Sequence, residues 1–322
     1  MTTELYLFLF LVIILLFLSI FAGGFFTQNN IMSILNTFSY MLISSIGMNL
    51  IIITSNIDVS SGALISVICI VLAAIGKLGA GTALLLPAAM IVGMALSFIN
   101  AIFITKMRIP AIVATLATTQ LFAGILPLTV EGSIYDLPAS FTWLSFNAKI
   151  FGFPASFLIM AAVTVIALLF MKYSRFSKKL YAIGNNKEAA RLAGVHVDRV
   201  VISAYVIAGA LFGITAAIIA TASQRVTTTM GSGMEMKFIA AVVLGGTSIS
   251  GGSGKLSGTV IGTLILAIIA PATNYLGISS DWSDAIMGVI IIAAVVVSAM
   301  RHIRVRKARG FSAASARGGA AL

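Results

Sequence analysis

Charge is what this sequence has least of. Only 9% of its 322 residues are Asp, Glu, Lys or Arg, against about a quarter in an ordinary soluble domain. That scarcity excludes a water-soluble fold for most of the chain. Acids are scarcer than bases, nine against twenty. Cysteine occurs once, at Cys69 inside an apolar run, so no internal disulfide can form and the thiol reads as a small packed hydrophobe. The two histidines, His196 and His302, stand far apart in polar sequence. With no Cys or carboxylate at ligand spacing, they do not make a metal centre. A phosphate loop is also missing. Gly254-Lys255 has Ile249 where the first glycine of that motif belongs and Leu256 where its hydroxyl belongs. No nucleophile–base constellation is present either, so the chain is not expected to be an enzyme or to bind a cofactor of its own.

What the sequence has is apolar length. Hydrophobic residues make up 60% of it and the mean hydropathy is +1.11, so lipid is the solvent for most of the surface. The expected fold is an all-α integral membrane protein with about ten transmembrane helices, some short or re-entrant. They are predicted near 5–22, 34–53, 60–76, 82–104, 111–129, 155–172, 200–221, 237–249, 256–272 and 284–300. The first run, Leu5 to Ile20, has no basic residues before it and is long enough to span, so it reads as an uncleaved helix rather than a signal peptide. The segments at 237–249 and 256–272 are separated by glycines and fit either two thin spans or one re-entrant pair. Residues 1–300 form the membrane domain. Residues 301–322 form a basic tail of Ala, Gly, Ser and Arg with no periodic apolar face, which reads as disordered.

The net charge of +11 lies in short loops beside apolar runs. That is the positive-inside pattern and not a nucleic-acid surface. Lys106 and Arg108 mark one cytoplasmic loop and residues 172–199 a second. The tail with Arg301, Arg304, Arg306, Lys307, Arg309 and Arg317 marks a third. Ten crossings make the three agree and put both termini inside. The 130–154 connection has no positive excess and falls outside. The 172–199 loop carries seven Lys and Arg against Glu188 and Asp198. Within it, Asn186 to Gly194 reads as a short polar helix that membrane spanning does not require. It is either a docking element or a solvated loop helix.

Two polar interruptions could carry transport chemistry. The first is Thr54 to Gly62, with Asn56, Asp58, Ser60 and Ser61. Asp58 is the only acidic residue between Glu4 and Glu131, and it reads as the one plausible intramembrane acid. A lone carboxylate at membrane depth usually faces a cavity or a partner. Asp58 also stands just before a predicted helix, where it could cap free backbone N–H groups. The second interruption is Gly245 to Gly254, with Thr247, Ser248 and Ser250 among the glycines. It fits close packing through small residues or the lining of a transport path.

Four segments in order carry a resemblance. They are Ser55-Asn56-Ile57-Asp58-Val59-Ser60-Ser61-Gly62; Arg108-Ile109-Pro110-Ala111 through Leu116; Tyr181 through Asn186 with Ala189 through Val195; and Leu244-Gly245-Gly246-Thr247 through Gly254. Over about residues 30–300 the chain resembles the permease subunit of a bacterial ATP-binding-cassette importer, in the ribose and monosaccharide branch that also holds autoinducer-2 permeases. Ser55-Asn56 departs from the glycines that often stand before Ile-Asp in that family. The resemblance implies an assembly in the cytoplasmic (inner) membrane. Its partners would be a second permease subunit, identical or sister, ATP-binding cassettes that use the ATP, and an extracytoplasmic solute-binding protein. It also implies that Lys187 to Val195 is the helix that docks on the ATPase. Ala189, Ala190, Ala193 and Gly194 would allow close approach, and Lys187, Glu188 and Arg191 would make polar contacts.

The expected function is ATP-driven import of a small neutral polyhydroxylated solute. Related permeases for nucleosides or branched-chain amino acids are the alternative, although an amino acid needs a deep base beside an acid, and none is evident. An ion-coupled carrier needs several intramembrane carboxylates or histidines, which this chain lacks.

Overall fold

A computed structural model describes residues 3–279, apart from residues 80, 81, 131, 136, 138–140, 142–148, 151 and 224, together with ten residues between 282 and 296. The predicted span at 284–300 lies mostly outside the described residues, and the 301–322 tail wholly so. The described chain is almost entirely helical. Its helices are α1 (Thr3–Phe21), α2 (Gln28–Ile53), α3 (Ser61–Lys77), α4 (Thr82–Thr105), α5 (Ala111–Thr129), α6 (Ala155–Tyr173), α7 (Arg175–Asn185), α8 (Lys187–Leu192), α9 (Val197–Ala222), α10 (Met234–Leu244) and α11 (Leu256–Tyr275). Four two-residue strands lie in the connections. Strand β1 (Ser133–Ile134) pairs antiparallel with β4 (Val226–Thr227), and β2 (Lys149–Ile150) pairs with β3 (Phe153–Pro154). The first pair ties the 130–154 connection to the segment that follows α9.

Among the described residues, seven helices are long and apolar enough to cross a bilayer: α1, α2, α4, α5, α6, α9 and α11. The expected ten are therefore not all seen. Helix α3 has 17 residues. The segment predicted at 237–249, either a thin span or half of a re-entrant pair, is α10, with 11 residues. At 1.5 Å per residue that is about 16 Å, roughly half of a hydrocarbon core. Helix α11, with 20 residues, is long enough to cross. The glycines from Gly245 onward end α10 early because they remove side chains that would hold a helix against its neighbours.

Burial sorts the spans into an inner and an outer set. In α2 and α9, 67% of the apolar window is buried, against 17%, 28% and 22% in α1, α5 and α6. Helix α9 packs most extensively on α4, then on α2. At the α4–α9 crossing a Cβ on Gly209 would strike the Gly93 carbonyl and Ser97, and one on Gly213 would strike the Ala89 carbonyl. Small residues let these backbones touch, which drives helix association where lipid offers no hydrophobic gain. Helix α1 is apolar on every side, with Ile13, Leu16 and Ile20 exposed, as a lipid-facing helix is. It runs parallel to α11: Glu4 pairs with Lys255 at 2.8 Å at one end, and Thr27 meets Tyr275 at the other.

Candidate functional site

Helix α2 stops at Ile53 and α3 starts at Ser61. The seven residues between them do not return to water. Thr54, Asn56, Asp58 and Ser60 are all buried. Ser55 begins the break with φ 61, an uncommon backbone for a residue with a side chain. Val59 donates its N–H to Thr115 Oγ1 of α5 at 3.1 Å, and its carbonyl accepts from Thr119 Oγ1 at 3.2 Å. The Tyr205 hydroxyl of α9 reaches the Ile57 carbonyl at 3.5 Å. Asn100 of α4 donates to Ser60 Oγ at 2.7 Å. Asn100 lies five residues before the end of α4, which sets this loop about 8 Å inside that end of the helix, beside the basic Lys106 and Arg108. Irregular backbone at such a depth requires cover by protein, and α4, α5 and α9 supply it.

Asp58 is fully buried. Its Oδ1 accepts from the Ser60 backbone N–H at 2.8 Å and from Ser60 Oγ at 2.5 Å. The carboxylate thus closes a turn two residues long and reaches no first-turn amide of α3, whose preceding residue is Ser60. Asp58 Oδ2 and Asn100 Oδ1 have no partner among the described residues. Ser61 Oγ lies 3.4 Å from the Asp58 carbonyl. Asn56 folds back on Thr54, donating to its carbonyl and to its Oγ1 at 3.2 and 2.8 Å. It forms the inner wall of a cavity of about 540 Å³ on the basic side, together with Ser55, Arg108, Lys187, Arg191 and Asp198.

The glycine-rich segment forms a second cluster. Thr247 Oγ1 accepts from Asn49 Nδ2 of α2 at 2.8 Å, and the same amide donates to Thr259 of α11 at 2.9 Å. Thr247 and Ser248 are buried, whereas Ser250 is exposed. The segment is sewn to the end of α2 and to α7. Gly252 N–H donates to the Ile53 carbonyl at 2.9 Å. Ser55 Oγ is placed to donate to the Ser250 and Gly184 carbonyls, at 2.7 and 3.1 Å. Asn185 Nδ2 donates to the Gly252 carbonyl at 3.0 Å, and the Tyr181 hydroxyl donates to the Gly254 carbonyl at 2.8 Å. Partial burial pushes the Tyr181 phenol above its ordinary value, which keeps that proton in place. Gly184 admits no side chain, because a Cβ there would strike the Ile53 carbonyl and Gly252 N. Among the described residues, the hydrogen bond between the two polar interruptions runs through Ser55. Ser60 bonds to Asn100 of α4, while Thr247 bonds to Asn49 of α2.

The third predicted element is α8. Asn186 caps it, its side chain accepting from the Glu188 and Ala189 N–H groups at 3.0 Å each. Gly194 ends it with φ 81. Arg191 pairs with Glu188 at 3.0 Å. Lys187, Glu188, Ala189, Arg191, Ala193 and Gly194 are exposed, and Ala190 is buried against the body. Leu192 is 91% exposed, an apolar side chain offered to water that the sequence reading passed over. Asp198, at the start of α9, lies 3.7 Å from Lys106 and 4.0 Å from Arg108, so the two basic loops share one face.

Sequence reasoning also missed Glu235, having taken Asp58 as the one plausible intramembrane acid. Gly62, the second residue of α3, packs against the Glu235 carboxylate and the Gly231 carbonyl, and Gly231 N–H donates to Ser66 Oγ at 2.9 Å. Glu235 therefore sits at the depth of the α2–α3 break, half-buried. In the sequence it stands just before the predicted segment at 237–249, with nothing to mark its depth.

A comparison with known protein families matches residues 30–295 to the description "Branched-chain amino acid transport system / permease component". The chain belongs to that family. It is 33% identical over 296 residues to the ribose import permease protein RbsC of Escherichia coli K12, covering 89% of this chain and 91% of the relative. The Bacillus subtilis RbsC is 33% identical over 292 residues, covering 90% and 91%. The autoinducer 2 import system permease protein LsrC of Yersinia enterocolitica is 33% identical over 280 residues, covering 87% and 78%. No solved structure matches the chain. The resemblance to ribose and autoinducer-2 permeases thus extends over most of the sequence, and these relatives are transport components rather than enzymes.

Proposed function

We propose that this chain is the membrane-spanning permease of an ATP-driven importer that moves a small neutral polyhydroxylated solute, a monosaccharide or a close relative, across the cytoplasmic membrane of a bacterium. Kinship carries the reading: relatives named for ribose and autoinducer-2 import align over 87–90% of this chain. Both termini lie in the cytoplasm. A second permease subunit completes the path, a solute-binding protein delivers cargo from outside, and cassette subunits hydrolyse the ATP. The chain itself holds no cofactor.

The contacts around α8 suggest how ATPase motion would reach the path. Exposed α8 docks on a cassette. Displacement of α8 carries α7 with it, and Gly184, Asn185 and Tyr181 of α7 are bonded to the Gly251–Gly254 turn and to Ser55. Ser55 leads directly into the unwound Asn56–Ser60 segment, which is held by α4, α5 and α9. A cassette that binds one arrangement of α7 and α8 more tightly shifts the balance between outward and inward states by that difference in affinity.

The test is reconstitution of the chain with its co-encoded partners in proteoliposomes, with ATPase activity read against a panel of solutes. Stimulation by a pentose or a related polyol in the presence of the binding protein is the expected result. Stimulation by leucine or valine alone would move the assignment to the amino-acid branch that the family description names. ATP-independent uptake would sink the reading altogether.

A further inference from the structure

Gln120 is the tenth of nineteen residues in α5. At 1.5 Å per residue it stands about 14 Å from either end of that helix, near the midplane of a hydrocarbon core about 30 Å thick. It is exposed, and no hydrogen bond to its amide is present among the described residues. In the middle of the seven candidate spans, no other described amide or charged side chain is exposed. A primary amide at this depth is not given to lipid tails, because both its donors and its acceptor would lose water without replacement. The face it occupies must therefore be wet.

The surroundings indicate what wets it. One turn to either side, Ala117 and Gly124 are small and exposed, and a Cβ on Gly124 would meet nothing within 4 Å. They leave a recess on both sides of the Gln120 amide. Thr119, the preceding residue, bonds to Val59, and three residues on from Val59, Gly62 lies against Glu235. Gln120 thus follows a residue bonded to the unwound segment, and the half-buried Glu235 packs two residues past that segment's end. The two donors and one acceptor of the amide match the alternating donors and acceptors of vicinal hydroxyls.

The geometry points to the Gln120 face of α5 as a wall of a hydrated solute path, with the Gln120 amide hydrogen-bonding the hydroxyls of a polyol in transit and Glu235 as a second polar contact. This rests on the import reading above and names residues for it. The second permease subunit closes the opposite wall, leaving water between them.

Accessibility and transport test it separately. Cys69 is replaced by Ala, giving a chain without cysteine, and Gln120→Cys and Ile13→Cys are compared in the reconstituted full complex. Ile13 is exposed on the all-apolar α1 and reports the lipid-facing rate. Gln120→Cys is expected to react with a charged, membrane-impermeant maleimide about tenfold or more faster than Ile13→Cys. Equal rates, or oxidation to a crosslink with the second subunit in place of labelling, would overturn the inference. Gln120→Leu is expected to lower uptake of the solute that stimulates the wild-type ATPase by about tenfold, the loss of one well-made hydrogen bond to cargo. Complex assembly should be unchanged, and Gln120→Asn should restore part of the rate. Full uptake by Gln120→Leu would remove its contact with solute. Failure of the import reading would show differently, as absent ATP-driven uptake in the wild type with Gln120→Cys still labelled from water.

Discussion

Asp58 carries more structure than its single negative charge suggests. Its Oδ1 holds both the backbone N–H and the hydroxyl of Ser60, and Ser60 Oγ in turn accepts from Asn100. Asp58→Ala strands two buried donors, whereas Ser60→Ala strands only the Asn100 amide. Each buried group left unpaired costs about 1–3 kcal/mol. Asp58→Ala should therefore lower the thermal midpoint of the detergent-solubilised chain more than Ser60→Ala does. The double mutant should fall short of the sum, since both changes cut one network. Equal midpoints for the two single variants would show that the carboxylate is not the hub of this cluster. The sequence made Asp58 conspicuous as a solitary acid. It could not show that the carboxylate reaches Ser60 instead of the first turn of α3, because that depends on the turn the chain takes after Ser55. Glu235 was illegible for the opposite reason: its depth comes from packing on Gly62, which lies far away in sequence.

Helical elements were far more legible than single roles. Helix α5 occupies residues 111–129, as the apolar run indicated, and α6 and α11 fall close to their predicted bounds. What the hydropathy pattern could not show is that α10 stops at Leu244. The predicted segment runs on to Ile249, but the glycines from Gly245 end the helix there, and Gly245 packs against Gly258 of α11. The small helix α8 was legible because polar sequence in an apolar chain has few uses, and its cap, Asn186, is a good one. Asn186→Ala should destabilise α8 by about 0.5–2 kcal/mol, seen as faster amide exchange across residues 188–193 with the spans unaffected. Leu192→Asp tests docking more directly. Leu192 is exposed and touches nothing the spans need, so insertion and folding should be normal. An apolar anchor replaced by an acid should weaken cassette co-purification and abolish solute-stimulated ATPase activity. Stoichiometric co-purification by Leu192→Asp would place the ATPase contact elsewhere. Truncating Glu188 should matter less, because its exposed pair with Arg191 contributes little.

At the scale of the whole molecule, one sidedness argument joins the loops. Lys106, Arg108 and Asp198 share a face with α8, and Glu4 and Lys255 mark the same ends of α1 and α11. The β1–β4 pair ties the opposite ends of α5 and α9 together. Basic loops resist translocation, so the proposed orientation has the first face in the cytoplasm and the strand pair outside. The chain is suited to testing this because Cys69 is buried and should stay silent in intact cells. Lys187→Cys, on exposed α8, should react with an impermeant maleimide only after the membrane is opened. Ser133→Cys, in β1, should react in intact cells. The reverse pattern would invert the protein and, with it, both the α8 contact with the cassettes and the direction of transport. The orientation matters beyond topology, because a cassette can pull on α7 and the Gly251–Gly254 turn only if α8 faces the compartment that holds ATP. Labelling of both sites from outside would instead mean that α6, the long apolar helix between Ser133 and Lys187, does not cross the bilayer, and neither loop could then be assigned to the ATP side from the other.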